Sequence, residues 1–250
     1  RDLHSFPTRR SSDLNAGETF PHVLAERTAN DGSEAVTLPD LATTKGRIKV
    51  EAVGNVFFDL SDADLTIQAS PRLANSGPAT VQYSDPTSVT VGATDPDSAG
   101  PALSAVATGL PAGLTLVDGP ASDPEARPGT RSWTVSGTAT AAPGDYPVSV
   151  AVTDDAGIVS TTTVAITVAP EDAEGTYTGD ALVFGRDSAT VLLRATLRDG
   201  SVLDGATDTA AGDIRTGTVA FTSGGQTLCT GTLGLLGTAT TAASASCTAF

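Results

Sequence analysis

Bond-breaking in a polypeptide needs side chains that attack, relay protons or hold a metal, and this sequence carries few of them. There are two histidines, His4 and His22, and two cysteines, Cys229 and Cys247. No His-Glu-x-x-His run is present to set two imidazoles around zinc on one helix face. His22 has neither a cysteine nor a second histidine at ligand spacing. No Gly-x-Ser-x-Gly elbow occurs, and a Ser-His-Asp set would have to be built on His22, where no supporting pattern exists. The glycines fall at β-turns, not in a phosphate-cradling loop. No catalytic residue is assigned.

Two other chemistries remain. In a chain that reads as exported, Cys229 and Cys247 favour one disulfide over a metal site, and closing a loop of that length stabilises by about 3 kcal/mol in the chain-entropy model; the alternative is two free thiols. Calcium is the one ligand the sequence invites. Asp95-Pro96-Asp97 follows one strand end and Asp154-Asp155 another, and carboxylates gathered at a module edge can supply part of the roughly six to eight oxygens that calcium takes. Asp85, Glu171, Asp172 and Glu174 also lie near module edges. The competing reading is local, since Asp is an ordinary turn residue that bonds its own backbone, and it weighs more heavily still at Asp59, Asp62 and Asp64. A sugar platform needs exposed rings, but Trp133 and Tyr146 fall on core faces.

The elements that must position these groups are strands. Of the 250 residues 39% are hydrophobic but only 4% aromatic, so any core is filled by Val, Leu, Ile and Ala, with Thr, Gly, Asp and Pro supplying strand and turn chemistry. A net charge of −15 repels nucleic acid and anionic lipid. No apolar run reaches the roughly 18 to 20 residues that span a bilayer. Ile48, Val50 and Ala52 alternate with polar neighbours, followed by Val56–Leu60 and Asp64–Ile67. Residues 68–76 read as a linker. Strands are then predicted at 80–83, 88–93, 103–107, 114–117, 132–138, 146–152 and 159–168, which is the count of an immunoglobulin-like sandwich. After a second linker at 170–175, Val191, Leu193, Ala195 and Leu197 face inward, and further strands are predicted at 217–222 and 226–230.

Three resemblances add to this reading. Within 15–69, TANDGSEAVTLP, TKGRIKVEA and GNVFFDLSD resemble the C-terminal half of a β-sandwich module that follows the catalytic domain of secreted bacterial reprolysin-like metallopeptidases. In 77–169, Leu110-Pro111-Ala112-Gly113-Leu114-Thr115-Leu116, Trp133 to Thr138, Pro143-Gly144-Asp145-Tyr146 and Val152-Thr153-Asp154 resemble the cadherin-like, immunoglobulin-like modules of bacterial surface proteins, and residues 176–250 do so more loosely. This second resemblance implies that Tyr146 is a corner tyrosine bonding to upstream backbone. Residues 1–14, RDLHSFPTRRSSDL, resemble at every position the translation of a widely used short-read sequencing adapter, implying that natural sequence begins at Asn15 inside a module and that the chain is a fragment.

The expected molecule is all-β: tandem immunoglobulin-like sandwiches, the first and last truncated, with 1–14 an artefact. It is expected to be a monomer on the cell surface or secreted, with a protein or cell-wall partner, neither bound to nucleic acid nor inserted in a membrane. The expected role is a non-catalytic accessory or spacer region of a secreted or surface peptidase, with the stalk of an adhesin or surface protein as the alternative.

Overall fold

The computed structural model describes residues 7–186, 188–200, 212, 214, 217–238 and 240–250. Residues 1–6, and His4 with them, lie outside the described residues. The described chain is built of strands, with a short 3-10 turn at Gly100–Ala102.

The best-formed unit is a two-layer sandwich. Its strands are β6 (Arg72–Asn75), β7 (Ala79–Gln82), β8 (Pro86–Asp95), β9 (Ser104–Thr108), β10 (Leu114–Ala121), β11 (Gly129–Thr138), β12 (Gly144–Thr153) and β13 (Val159–Ala169). One sheet runs β10-β11-β8-β6 and the other β7-β13-β12-β9. Period-two alternation sends the even positions Val148, Val150 and Val152 of β12 inward, and likewise Val164, Ile166 and Val168 of β13, all at 0–1% exposure. Opposite them stand Val89 and Val91 of β8 and Trp133 and Val135 of β11, equally buried. Each fully buried aliphatic side chain of this kind stabilises by about 1.5–3 kcal/mol relative to exposure. All seven strands read from the sequence are present, with ends shifted by a few residues.

Strand β6 was not anticipated; it lies inside the stretch read as linker. It pairs antiparallel with β8, Arg72 against Thr94 and Asn75 against Val91, and only Leu73 packs toward the core. Strand β7 then crosses to the other sheet and pairs parallel with β13, Ala79 against Ile166 and Gln82 against Ala169. The chain therefore enters the sandwich at one pole, beside Asp95, and leaves it at the opposite pole, beyond Ala169. Ten-residue β8 spans that distance, about 30 Å at the rise of an extended strand.

On the entry side lies a single sheet, β2-β1-β3-β4, made of β1 (Thr8–Asp13), β2 (His22–Thr28), β3 (Thr43–Ala52) and β4 (Phe58–Leu60), with β5 (Leu65–Ile67) also paired to β3. Ile48, Val50 and Ala52 of β3 are all half-buried, and among the described residues the sheet that holds them has no facing sheet of its own. Val56, Phe57 and Phe58 are 84%, 71% and 62% exposed. The middle strand is β1, six residues without one apolar side chain, in which Ser11, Ser12 and Asp13 are buried. The stretch that resembles an adapter translation is thus held between β2 and β3, with Asp13 Oδ1 accepting the Arg47 N–H at 2.8 Å. Buried serines and a buried aspartate in a central strand run against the usual agreement of pattern and burial.

On the exit side is a sheet β14-β15-β18-β17-β16, formed by β14 (Ala173–Tyr177), β15 (Val191–Asp199), β16 (Thr218–Ser223), β17 (Gln226–Leu235) and β18 (Ala242–Ala249). Leu193 is buried and Leu192 and Arg194 are exposed, as the alternation requires. Cys229 of β17 and Cys247 of β18 form a disulfide, 18 residues apart in sequence.

Candidate functional site

The acids singled out in the sequence separate into the two poles. Val89, Val91 and Ala93 are successive inward positions of β8, and the next inward position is Asp95. Strand alternation therefore drives a carboxylate, rather than a fourth aliphatic group, into the entry end of the core, where it is 0% exposed. Its Oδ1 accepts the backbone N–H of Asp97 at 3.1 Å and of Ser98 at 2.7 Å, folding the 95–100 loop back over β11. Gly129, directly opposite Asp95 in register, permits that fold; a Cβ there would lie 2.3 Å from the Ser98 carbonyl and 2.4 Å from the Gly100 nitrogen.

Asp95 Oδ2 is buried and meets no hydrogen-bond donor, and the same holds for Asp97 Oδ1. The two carboxyls face one another within hydrogen-bonding reach. Burial first, then the hydrogen bond and the charge of Asp95, push the Asp97 carboxyl above the ordinary aspartate range, while an N–H from Ala69 pulls the other way. Ala69 lies just before β6, so the Asp97 carboxyl is close to the point at which the chain enters the sandwich. Ile67 and Ala69 are themselves buried.

Asp154 and Asp155 lie at the same pole, at the end of β12. They have different employment. Asp154 Oδ1 accepts the N–H groups of Ala156 at 2.9 Å and Ile158 at 2.7 Å and so holds its own turn. Asp155 is exposed, and its Oδ1 accepts the Ser98 hydroxyl at 2.6 Å, which ties it to the Asp95 loop. Among the described residues, no three His, Cys, Asp or Glu side chains converge to hold a metal; the structure brings together a carboxyl pair, Asp95 and Asp97, with Asp155 one hydrogen bond away. Ser98, Gly129 and the Ala69 N–H were not read from the sequence. The signal for them was available in one place, the continuation of the β8 alternation through Asp95.

The neighbouring cations are engaged elsewhere. Arg127 Nε donates to the Asp97 carbonyl at 2.8 Å and its Nη1 to the carbonyls of Pro124 and Ala126. Arg131 pairs with Asp118 at 3.2 Å, donates to the Leu103 carbonyl and lies over the Trp133 ring at 5.5 Å.

The remaining acids are at other stations. Ser84 and Glu171 are hydrogen-bonded at the exit pole, where a cavity of about 590 Å³ opens between Tyr83, Pro143, Glu171, Leu197 and Leu233. Asp64 is ion-paired with Arg47 at 2.8 Å. His22 sits half-buried in β2 opposite Ser12. Tyr146 Oη donates to the Ala142 carbonyl at 2.7 Å, four residues upstream, which is the corner bond that the resemblance implied. Trp133 is wholly buried and offers no sugar platform.

The family comparison agrees with the architecture of the central sandwich. Residues 70–169, the span from the entry linker to the end of β13, match the family described as "Putative Ig domain". No curated protein matches the chain. Among solved structures, domains 4–9 of the surface layer protein SbsC align over 96% of this chain and 34% of that one, at 13% identity and a TM-score of 0.26. The chain thus spans about a third of that structure's length, and so low a score carries no argument. The fold class is all-β with immunoglobulin-like sandwich architecture, and the 70–169 unit begins earlier than residue 77 because β6 belongs to it.

Proposed function

We propose that this chain is a non-catalytic spacer of an exported bacterial surface protein, in which immunoglobulin-like modules follow one another in line. The observation that carries the reading is the path of the chain through 70–169, in at one pole and out at the other. A module threaded in this way adds its full strand length to the span of the protein, whereas one that returned to its starting end would add only a side branch. The disulfide in the exit-side sheet fits an oxidising location outside the cytoplasm. The partner is a protein or cell-wall component held at a distance from the anchor.

The more specific version sets the array behind a peptidase domain, and rests on the resemblance of residues 15–69. Reading the coding region upstream of Asn15 separates the two: a zinc-binding helix supports the peptidase version, further immunoglobulin-like repeats the stalk. Small-angle scattering tests the spacer itself. A compact 250-residue body has a radius of gyration of about 18 Å, whereas three modules in line give about 30 Å or more from the same module sizes. A value near the compact figure refutes the spacer.

A further inference from the structure

We propose that the space between β2 and β3 is a strand-accepting slot for an extended peptide with aliphatic side chains at alternate positions, and that β1 is its displaceable occupant. Strand β1 runs antiparallel to both neighbours. It pairs from Thr8 against Ala52 to Asp13 against Arg47 on one side, and from Thr8 against Thr28 to Ser12 against His22 on the other. The two neighbours therefore run parallel to each other. Without β1 they would face one another across two strand spacings, about 9–10 Å, each with a row of unpaired N–H and C=O groups. Such a gap takes one extended backbone, and main-chain hydrogen bonds on both sides give the affinity.

The backbone of β1 fits this slot and its side chains do not. Thr8, Arg10 and Ser12 stand opposite Ala52, Val50 and Ile48 of β3, polar groups beside apolar ones on one face. Ser12 Oγ and Arg9 Nε are buried without a hydrogen-bond partner among the described residues, a cost that an aliphatic side chain at Ser12 would remove there. The ladder with β2 is broken on either side of Arg10, whose Nη1 donates to the hydroxyls of Thr8 and Thr28. The other face of β3 carries Arg47, Lys49 and Glu51. The preferred occupant therefore has Val, Ile or Leu at the places of residues 8, 10 and 12, polar side chains at 9 and 11, and an acid at 13. Asp13 shows what that acid does: its Oδ1 accepts the Arg47 N–H at 2.8 Å and its Oδ2 the Gly17 N–H. Strand β1 is the first strand and joins β2 through residues 14–21, so it can leave the sheet without drawing another strand with it. The inference stands on this sheet alone and is independent of the spacer reading.

The experiment uses the full chain and three fluorescent peptides spanning residues 7–14. One has the sequence as it stands, one carries Thr8→Val, Arg10→Val and Ser12→Val, and the third adds Ser11→Pro, whose ring removes a ladder donor. Tethered β1 competes at an effective concentration on the order of mM, so anisotropy is followed up to about 1 mM protein. The Val peptide is expected to bind about tenfold or more tighter than the unsubstituted one, and the Pro peptide not to bind. Asp13→Ala in the chain releases the anchor of β1 and is expected to tighten Val-peptide binding about tenfold. Amide exchange then locates the peptide: residues 8–12 of the chain should lose protection while β2 and β3 keep theirs. Equal binding of the Val and Pro peptides overturns the slot, because apolar adhesion needs no ladder. Binding that leaves residues 8–12 protected also overturns it, placing the peptide on the free edge of β2. Absence of binding to the wild type at the highest concentration overturns it too, and these wild-type outcomes decide even where Asp13→Ala fails to fold.

Discussion

Replacing Asp95 by Asn or by Ala in chelator gives two opposite outcomes from one position. Asn keeps an oxygen for the N–H groups of Asp97 and Ser98, now at 3.1 and 2.7 Å, and turns an NH₂ toward Asp97 where two acceptors met before. A hydrogen bond to a charged partner is worth about 1.5–3 kcal/mol, reduced by solvent at the half-buried Asp97 to about 1–2 kcal/mol. At about 4–8 °C per kcal/mol for a domain of this size, the Trp133-reported midpoint rises by roughly 5–10 °C. Ala instead strands two N–H groups, that of buried Ser98 among them, at about 1–3 kcal/mol each, and the midpoint falls by roughly 10 °C or more. The order Asn above wild type above Ala, measured at neutral pH with chelator, is the signature. An Asn variant that melts below the wild type refutes the account of an uncompensated carboxyl pair.

Other outcomes follow from single contacts. Tyr146→Phe removes the bond to the Ala142 carbonyl and should cost about 1 kcal/mol, read as a lower Trp133 midpoint. Reducing Cys229–Cys247 should destabilise the exit-side sheet by about 3 kcal/mol, seen as faster amide exchange in β17 and β18 with the Trp133 midpoint unmoved. Glu51 receives a hydrogen bond from Lys49 at 2.5 Å, which holds its carboxyl below the usual range; its contribution to stability is present above the unfolded value and lost as pH falls through the lower folded one. An NMR titration of Glu51 should show this, and Lys49→Ala should return the midpoint toward normal. Limited proteolysis should cut residues 7–69, where Phe57 and Phe58 lie open, well before 70–169; equal resistance contradicts the half-covered sheet.

The sandwich was legible because its strands obey a simple period. Val148, Val150 and Val152, or Val164, Ile166 and Val168, announce a buried face in the text, and the structure places each of them inside. Strand β6 was illegible because Arg72-Leu73-Ala74-Asn75 offers a single apolar side chain beside Pro71 and Gly77-Pro78, and edge strands need little burial to form. Strand β14 escaped for the same reason, since all five of its residues are exposed. No reading of pattern would have put Thr8–Asp13 in the middle of a sheet, because its pairing with β2 and β3 is made by backbone groups that every sequence carries. The acids were visible as acids. Their grouping depended on the loop that Gly129 admits and on which face Asp95 takes, and the latter was written in the alternation of β8.

The in-line threading of 70–169 can be read directly as a distance. Spin labels at Arg72 and Asp172, both exposed and at opposite poles of the sandwich, should give a distance distribution centred at about 30–40 Å, the length of a ten-residue strand with its linkers. A centre below about 20 Å, as for a chain that enters and leaves at the same end, would contradict the spacer.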